Sequence, residues 1–99
     1  MIEVERTLEF QQWFDKEALK SQTQIESRIV NIQLNNHFGD VKNLGDGLAE
    51  LRWKNGRRVY FTSIGNKLVL LLIGGYKNAQ NKDIKKARVL LRRYAEEET

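Results

Sequence analysis

The stretch Glu50-Leu51-Arg52-Trp53-Lys54-Asn55-Gly56-Arg57-Arg58-Val59-Tyr60-Phe61 sets an apolar, aromatic-bearing run on either side of Asn55-Gly56 and crowds Arg52, Lys54, Arg57 and Arg58 around that dipeptide. Asn-Gly between strand-like residues is the strongest short-range hairpin signal, because both residues accept the positive φ of a tight type I′ turn. A slightly longer loop around Gly56 is the alternative. The expected strands are about 48–54 and 57–63. Strand positions of equal parity share a face, so Arg52 projects with Lys54, and Arg58 with Tyr60 across the turn. Trp53, Val59 and Phe61 then point to the other face, an assignment that fails if the turn contains a bulge. Four cations held this close repel one another, and an anionic partner offsets that cost.

Upstream of the hairpin, alternation of Ile2 and Val4 with Glu3 and Glu5 predicts a short first strand. Thr7 is placed to cap a helix over roughly 8–19, with Phe10, Trp13, Phe14 and Leu19 at helical spacing and Glu9 in the first turn. Ser21 and Gln24 read as a capping box for a second helix to about Asn35, carrying Ile25, Ile29 and Ile32. His37 to Gly47 is rich in Gly and Asp and predicts a loop around a short strand at Val41–Leu44. Downstream, Ile64-Gly65-Asn66-Lys67 reads as a turn. The unalternating run Leu68–Ile73 reads as a central strand buried on both faces, ended by Gly74-Gly75. Asn78 is then expected to cap a helix to about Glu97, with Ile84, Ala87, Leu91 and Tyr94 inward and Lys82, Lys85, Lys86, Arg92 and Arg93 facing water. The order β-α-α-β-β-β-β-α predicts an α+β fold, a helical hairpin and a C-terminal helix packed on a mainly antiparallel four- to five-stranded sheet.

The 99 residues suit one domain, 1–99, able to bury about 65% of its unfolded surface. There is no cysteine, which excludes disulfides and thiolate metal sites and fits a reducing cytoplasm. The opening residues lack the pattern of a signal peptide, and the longest apolar run is too short to span a bilayer. The net charge of +4 is uneven: residues 1–50 hold five Lys/Arg against nine Asp/Glu, and residues 51–99 hold twelve against four. A negatively charged partner for the C-terminal half is the expectation, nucleic acid or an acidic protein segment.

The ELR…GRRVYF hairpin, the apolar strand ending in Gly74-Gly75, and Tyr76-Lys77 leading into a basic helix together resemble the RelE/ParE superfamily of toxins. The HigB-like addiction module killer branch is the nearest in pattern. The resemblance spans the chain, through F-x-x-W-F, FGDVKNLGDGLAELR, RVYFT and GG-x-K-x-x-Q-x-x-DIKKA. It implies a small basic toxin neutralised by an antitoxin, acting on messenger RNA at the ribosome, without membrane association and without a metal or small-molecule cofactor. Relatives that poison DNA gyrase, and an inactive basic RNA-binding module, are the alternative expectations.

Cleavage of RNA by its own 2′-hydroxyl needs a base, an acid and cations that stabilise the phosphorane. Arg58 matches the arginine of the family's G-x-R-V-Y-type motif and is the first candidate for transition-state stabilisation, since a guanidinium grips two phosphate oxygens at once. Lys54, Lys77 and Tyr76 are the candidates for proton transfer; a lysine among cations has its charged form disfavoured. Arg52, Arg57, Lys82, Lys85 and Lys86 are expected to hold RNA. Glu50 is expected to pair with a neighbouring arginine rather than to act as a base. His37, a lone histidine in a loop, is expected to have no catalytic role. Two departures from the best-known branch stand out: Asp83 occupies the spacing of its C-terminal tyrosine, and its strand lysines have no counterpart around Leu48 and Glu50.

Overall fold

The computed structural model describes residues 1–97, so residues 98 and 99 of the predicted domain lie outside the described residues. The elements follow in the order β1 (Glu3–Arg6), α1 (Leu8–Asp15), α2 (Leu19–Asn35), β2 (Val41–Gly45), β3 (Leu48–Arg52), β4 (Arg57–Ile64), β5 (Leu68–Tyr76), a 3₁₀ turn (Lys77–Ala79) and α3 (Gln80–Glu97). One five-stranded sheet has the order β1-β5-β4-β3-β2. Only β1 and β5 run parallel; the other three pairings are antiparallel. No helix among the described residues is long and apolar enough to cross a membrane.

The hairpin forms with the longer of the two expected turns. Gly56 alone takes a positive φ, +96°, whereas Asn55 does not. The Asn55 side chain accepts the Arg57 N–H at 2.9 Å, and the turn closes through Gly56 N–H to the Trp53 carbonyl and Trp53 N–H to the Arg57 carbonyl, both 3.0 Å. Asparagine here serves as a side-chain acceptor instead of a left-handed backbone residue.

The alternation of faces survives this longer turn. Leu51, Val59 and Phe61 join Phe10, Phe14, Ile25, Ile29 and Ile32 in a core on the α1/α2 side. Leu48, Tyr60, Leu72, Ile73, Ala87 and Leu90 form a second core under α3. Burying each large apolar side chain stabilises the fold by about 1.5–3 kcal/mol relative to exposure. Leu72 and Ile73 both reach the α3 side because the β4–β5 register slips by one residue between Tyr60–Ile73 and Phe61–Leu71. Thr7 caps α1 as its sequence predicts, accepting from Phe10 N–H at 3.0 Å, and its hydroxyl donates to the Leu72 carbonyl. Glu9 accepts from both Arg93 and Tyr94, tying α1 to the last turns of α3.

Four boundaries differ from the sequence expectation. The first helix ends at Asp15, and Leu19, expected in its apolar stripe, opens α2 and is 78% exposed. The second helix has no side-chain cap, because Ser21 and Gln24 accept hydrogen bonds from Arg57 instead of closing a capping box. Asn78 lies inside the 3₁₀ turn, so α3 starts one residue later than a cap at that position implies. Gly74-Gly75 does not end β5, which runs on to Tyr76.

That glycine pair is explained by what crosses it. A Cβ on Gly74 would lie 2.3 Å from the Trp13 ring on the α1 side, and a Cβ on Gly75 would lie 2.0 Å from Asp83 Oδ2 on the α3 side. Neighbouring glycines thus admit one helix to each face of the sheet. Gly74→Ala is expected to lower the urea unfolding midpoint, with a loss of about 1–3 kcal/mol, since the indole is held by Phe10 and cannot retreat freely. A midpoint within error of the parent would show that Trp13 is not locked against the strand.

Candidate functional site

Arg57 and Arg58 are adjacent in sequence and opposite in fate. Strand alternation sends Arg58 to the α3 side, where it lies directly across from Arg52 on β3 and from Gly75 on β5. Its Nη1 donates to the Trp53 and Arg57 carbonyls at 3.2 and 3.0 Å, which fixes the guanidinium beneath the turn. Its Nε is buried with no hydrogen-bond partner, and no ion pair involving Arg58 occurs among the described residues. Arg52 Nε is likewise buried without a hydrogen-bond partner, and lies 3.9 Å from Glu50 Oε1. Like charges directly opposite on paired strands are destabilising.

Around these guanidiniums the α3 face holds three more polar groups. Glu50 is fully buried, and Gln80 at the start of α3 donates to both its carboxylate oxygens at 2.9 and 3.0 Å. Glu50 thus has the neighbouring arginine expected of it, at long range, and a closer partner that no local pattern foretold. Tyr60, across from Glu50, is fully buried with its hydroxyl unpartnered. Burial first, and then the carboxylates of Glu50 and Asp83, raise the phenol pKa far above its ordinary value, against the pull of Arg58. Asp83 is half-buried over Gly75; burial pushes its carboxyl above the ordinary aspartate range, with Lys86 and Lys82 opposing the shift. Of the four buried polar atoms left without a hydrogen-bond partner among the described residues, Arg52 Nε, Arg58 Nε and Tyr60 Oη share this face and Arg57 Nε lies on the other, so the α3 face has the greater free hydrogen-bonding capacity.

The other predicted site residues are distributed around this cluster. Arg57 turns to the opposite face, only 2% exposed, and donates to Ser21 Oγ and Gln24 Oε1, so its end groups face α2 and not solvent. Tyr76, its partner across β5, points the same way and donates to Glu17 Oε1 at 2.7 Å. Tyr76 is therefore not brought together with Arg58. Lys54 stands exposed in the turn, on a groove of about 490 Å³ shared with Arg52, Gln24, Arg28, Asp40 and Trp53. Lys77 packs its stem on Gly56 and donates its backbone N–H to the Gly56 carbonyl at 2.8 Å, so it sits beside the hairpin tip with an exposed side chain. Lys82 lies with Lys77 on a polar basin of about 440 Å³, and Lys85 and Lys86 are exposed along α3. His37 is exposed in the loop after α2.

Sequence reasoning overlooked Tyr60, Gln80 and Asp83 as site residues. Two signals were available for Asp83: it stands at the spacing of the C-terminal tyrosine of the best-known branch that the chain resembles, and it is the acidic residue in the first turn of a helix studded with Lys82, Lys85 and Lys86.

No family model matches the chain. An uncharacterized protein of Haemophilus influenzae is 42% identical over 92 residues, covering 90% of this chain and 92% of that protein. Among solved structures, the isolated E. coli RelE toxin superposes with a TM-score of 0.65 at 13% identity, over 87% of this chain and 98% of RelE. The intact E. coli RelBE toxin–antitoxin complex matches with a TM-score of 0.65 at 14% identity, over 77% of this chain and 96% of that one. The RelB–RelE antitoxin–toxin complex of Methanococcus jannaschii matches with 0.64 at 12% identity, over 78% and 94%. The chain belongs to the same family as the Haemophilus protein and has the RelE/ParE-like toxin fold.

Proposed function

We propose that this protein is the toxin of a toxin–antitoxin pair, a HigB-like member of its superfamily that cleaves messenger RNA on the ribosome in the cytoplasm. The observation that carries the reading is the opposed pair Arg52 and Arg58, whose buried Nε donors are left unsatisfied. A phosphate gripped by the outer nitrogens of the two guanidiniums would relieve their repulsion. The RNA's own 2′-hydroxyl is the nucleophile, so the protein has only to hold the phosphate, stabilise the phosphorane and move protons. Lys77, Lys82, Lys85 and Lys86 extend positive charge from that site along α3, a track for the flanking phosphates. The E. coli and Methanococcus RelE proteins form complexes with RelB, which supports a cognate antitoxin as the partner here.

Induction in a bacterial host tests the reading. Growth arrest should coincide with new transcript 5′ ends inside translated regions, mapped by primer extension, and purified protein should cut a ribosome-bound messenger. Arrest with intact transcripts and broken chromosomal DNA would instead identify a gyrase poison of the same fold. Salt-sensitive RNA binding with neither arrest nor cleavage would identify an inactive binding module.

A further inference from the structure

Proton transfer is the part of the site that the expected residues leave open. Tyr76 is bonded to Glu17 on the far side of the sheet; Lys54 stands exposed on a groove it shares with Arg52 and Arg28, Lys77 lies exposed beside Gly56, and no hydrogen bond or ion pair among the described residues positions either ammonium. Glu50 and Asp83 carry carboxylates on the Arg58 side. Glu50 is fully buried, with both oxygens occupied by Gln80, and has no path to a substrate.

Asp83 is different in each respect. It is partly exposed, and its carboxylate takes part in no hydrogen bond or ion pair among the described residues. It rests on the bare Cα of Gly75, where a Cβ would come within 2.0 Å of Oδ2, and Gly75 is the residue paired with Arg58. Arg58 and Asp83 therefore flank one strand residue that has no side chain, without pairing with each other. A half-buried carboxylate normally finds a donor; this one has none, and the charges that act on it are those of Lys86 and Lys82.

We propose that Asp83 is the general base of the reaction, taking the 2′-hydroxyl proton of a ribose laid over Gly75 while Arg58 holds the adjoining phosphate. This rests on the nuclease reading above. In the step, the O2′–H bond breaks and its proton passes to the Asp83 carboxylate. The O2′ electron pair forms the O2′–P bond, and the P–O5′ bond breaks. The departing O5′ takes a proton from water, leaving a 2′,3′-cyclic phosphate and a 5′-hydroxyl; Asp83 then returns its proton to solvent. Lys82 and Lys86 on α3 are the charges that act on the carboxylate, and Tyr60 on the strand below feels Asp83, Glu50 and Arg58 together. Burial places its titration above the ordinary aspartate range, closer to the pH at which a base works best.

The same environment gives a stability effect of opposite sign. An acid whose pKa is raised on folding contributes stability below its unfolded value, and that contribution is lost as pH rises through the folded value. Asp83→Asn should therefore raise the urea midpoint at pH 7, with the gain fading at acidic pH. Activity should move the other way: cleavage of a ribosome-bound messenger should fall about 10²–10⁴-fold. The rise of wild-type rate with pH across the Asp83 titration should be absent in Asp83→Asn and retained in Asp83→Glu.

Folded Asp83→Asn within threefold of wild type, with the same pH profile, would overturn the assignment and leave the nuclease reading standing. Loss of activity in Asp83→Asn alongside an unchanged pH profile of its residual rate would also overturn it, leaving Asp83 a structural contact. Wild-type protein that leaves the messenger uncut removes both the nuclease reading and this one.

Discussion

Arg58→Ala should lower cleavage of a ribosome-bound messenger by about 10²–10³-fold and abolish growth arrest, while the protein stays folded. The size follows from what the guanidinium does. It is held by two carbonyls of the turn, so its remaining donors are aimed before substrate arrives and need no reorganisation as negative charge develops on phosphorus. The fold loses those two hydrogen bonds, about 1–3 kcal/mol in total, together with the packing of a side chain only 6% exposed, and is freed of the repulsion from Arg52 opposite. Arg58→Lys separates charge from geometry: an ammonium keeps the charge and loses the fork, so it should restore only part of the rate. Circular dichroism and urea unfolding of each variant set beside primer-extension cleavage decide the matter. An Arg58→Ala protein that is folded and fully active would move the phosphate site elsewhere.

Local pattern was enough to read the hairpin, the alternation of its faces, the Thr7 cap and the buried fifth strand from the chain alone, because each rests on near-neighbour chemistry. What stayed hidden depended on contacts between distant residues. Ser21 and Gln24 have the spacing of a capping box, yet their acceptors go to Arg57, more than thirty positions away, and the helix starts at Leu19 without them. The candidate site suffered from a single bulge. Counting back from the pair Ile64–Leu68 without a slip would set Arg58 opposite Gly74; the extra residue Leu72 shifts the pairing by one and brings Gly75 there instead. That shift decides which glycine faces α3, and so why Asp83 approaches Arg58 while Tyr76 is carried to the other face beside Arg57. Parity along one strand is legible in sequence, whereas register between strands that contain a bulge is not.

The neighbouring arginine should behave in the opposite way. Arg57→Ala is expected to cost about 2–5 kcal/mol of stability, seen as a lower urea midpoint, with activity falling only as the folded fraction falls. Arg57 is buried without a carboxylate: Gln24 and Ser21 accept from it at 3.0 and 2.8 Å, and its guanidinium lies 5.5 Å from the Trp53 ring, which also meets Arg28 at 4.2 Å. Its stem fills the space between the hairpin and α2, so truncation leaves a void that the paired strands cannot collapse to close. Ser21 and Gln24 lie near the surface and can turn to water, so the cost is mainly packing. Arg57→Met makes the distinction. It keeps most of the volume and removes the buried charge, an exchange that is often neutral or stabilising, and it should recover most of the midpoint that alanine loses. If methionine is as destabilising as alanine, the hydrogen bonds to α2 and the stack on Trp53 carry the stability instead. If either variant keeps the midpoint and still loses RNA cleavage, Arg57 contacts RNA, as its sequence alone suggested, and the turn must open on α2 for it to do so.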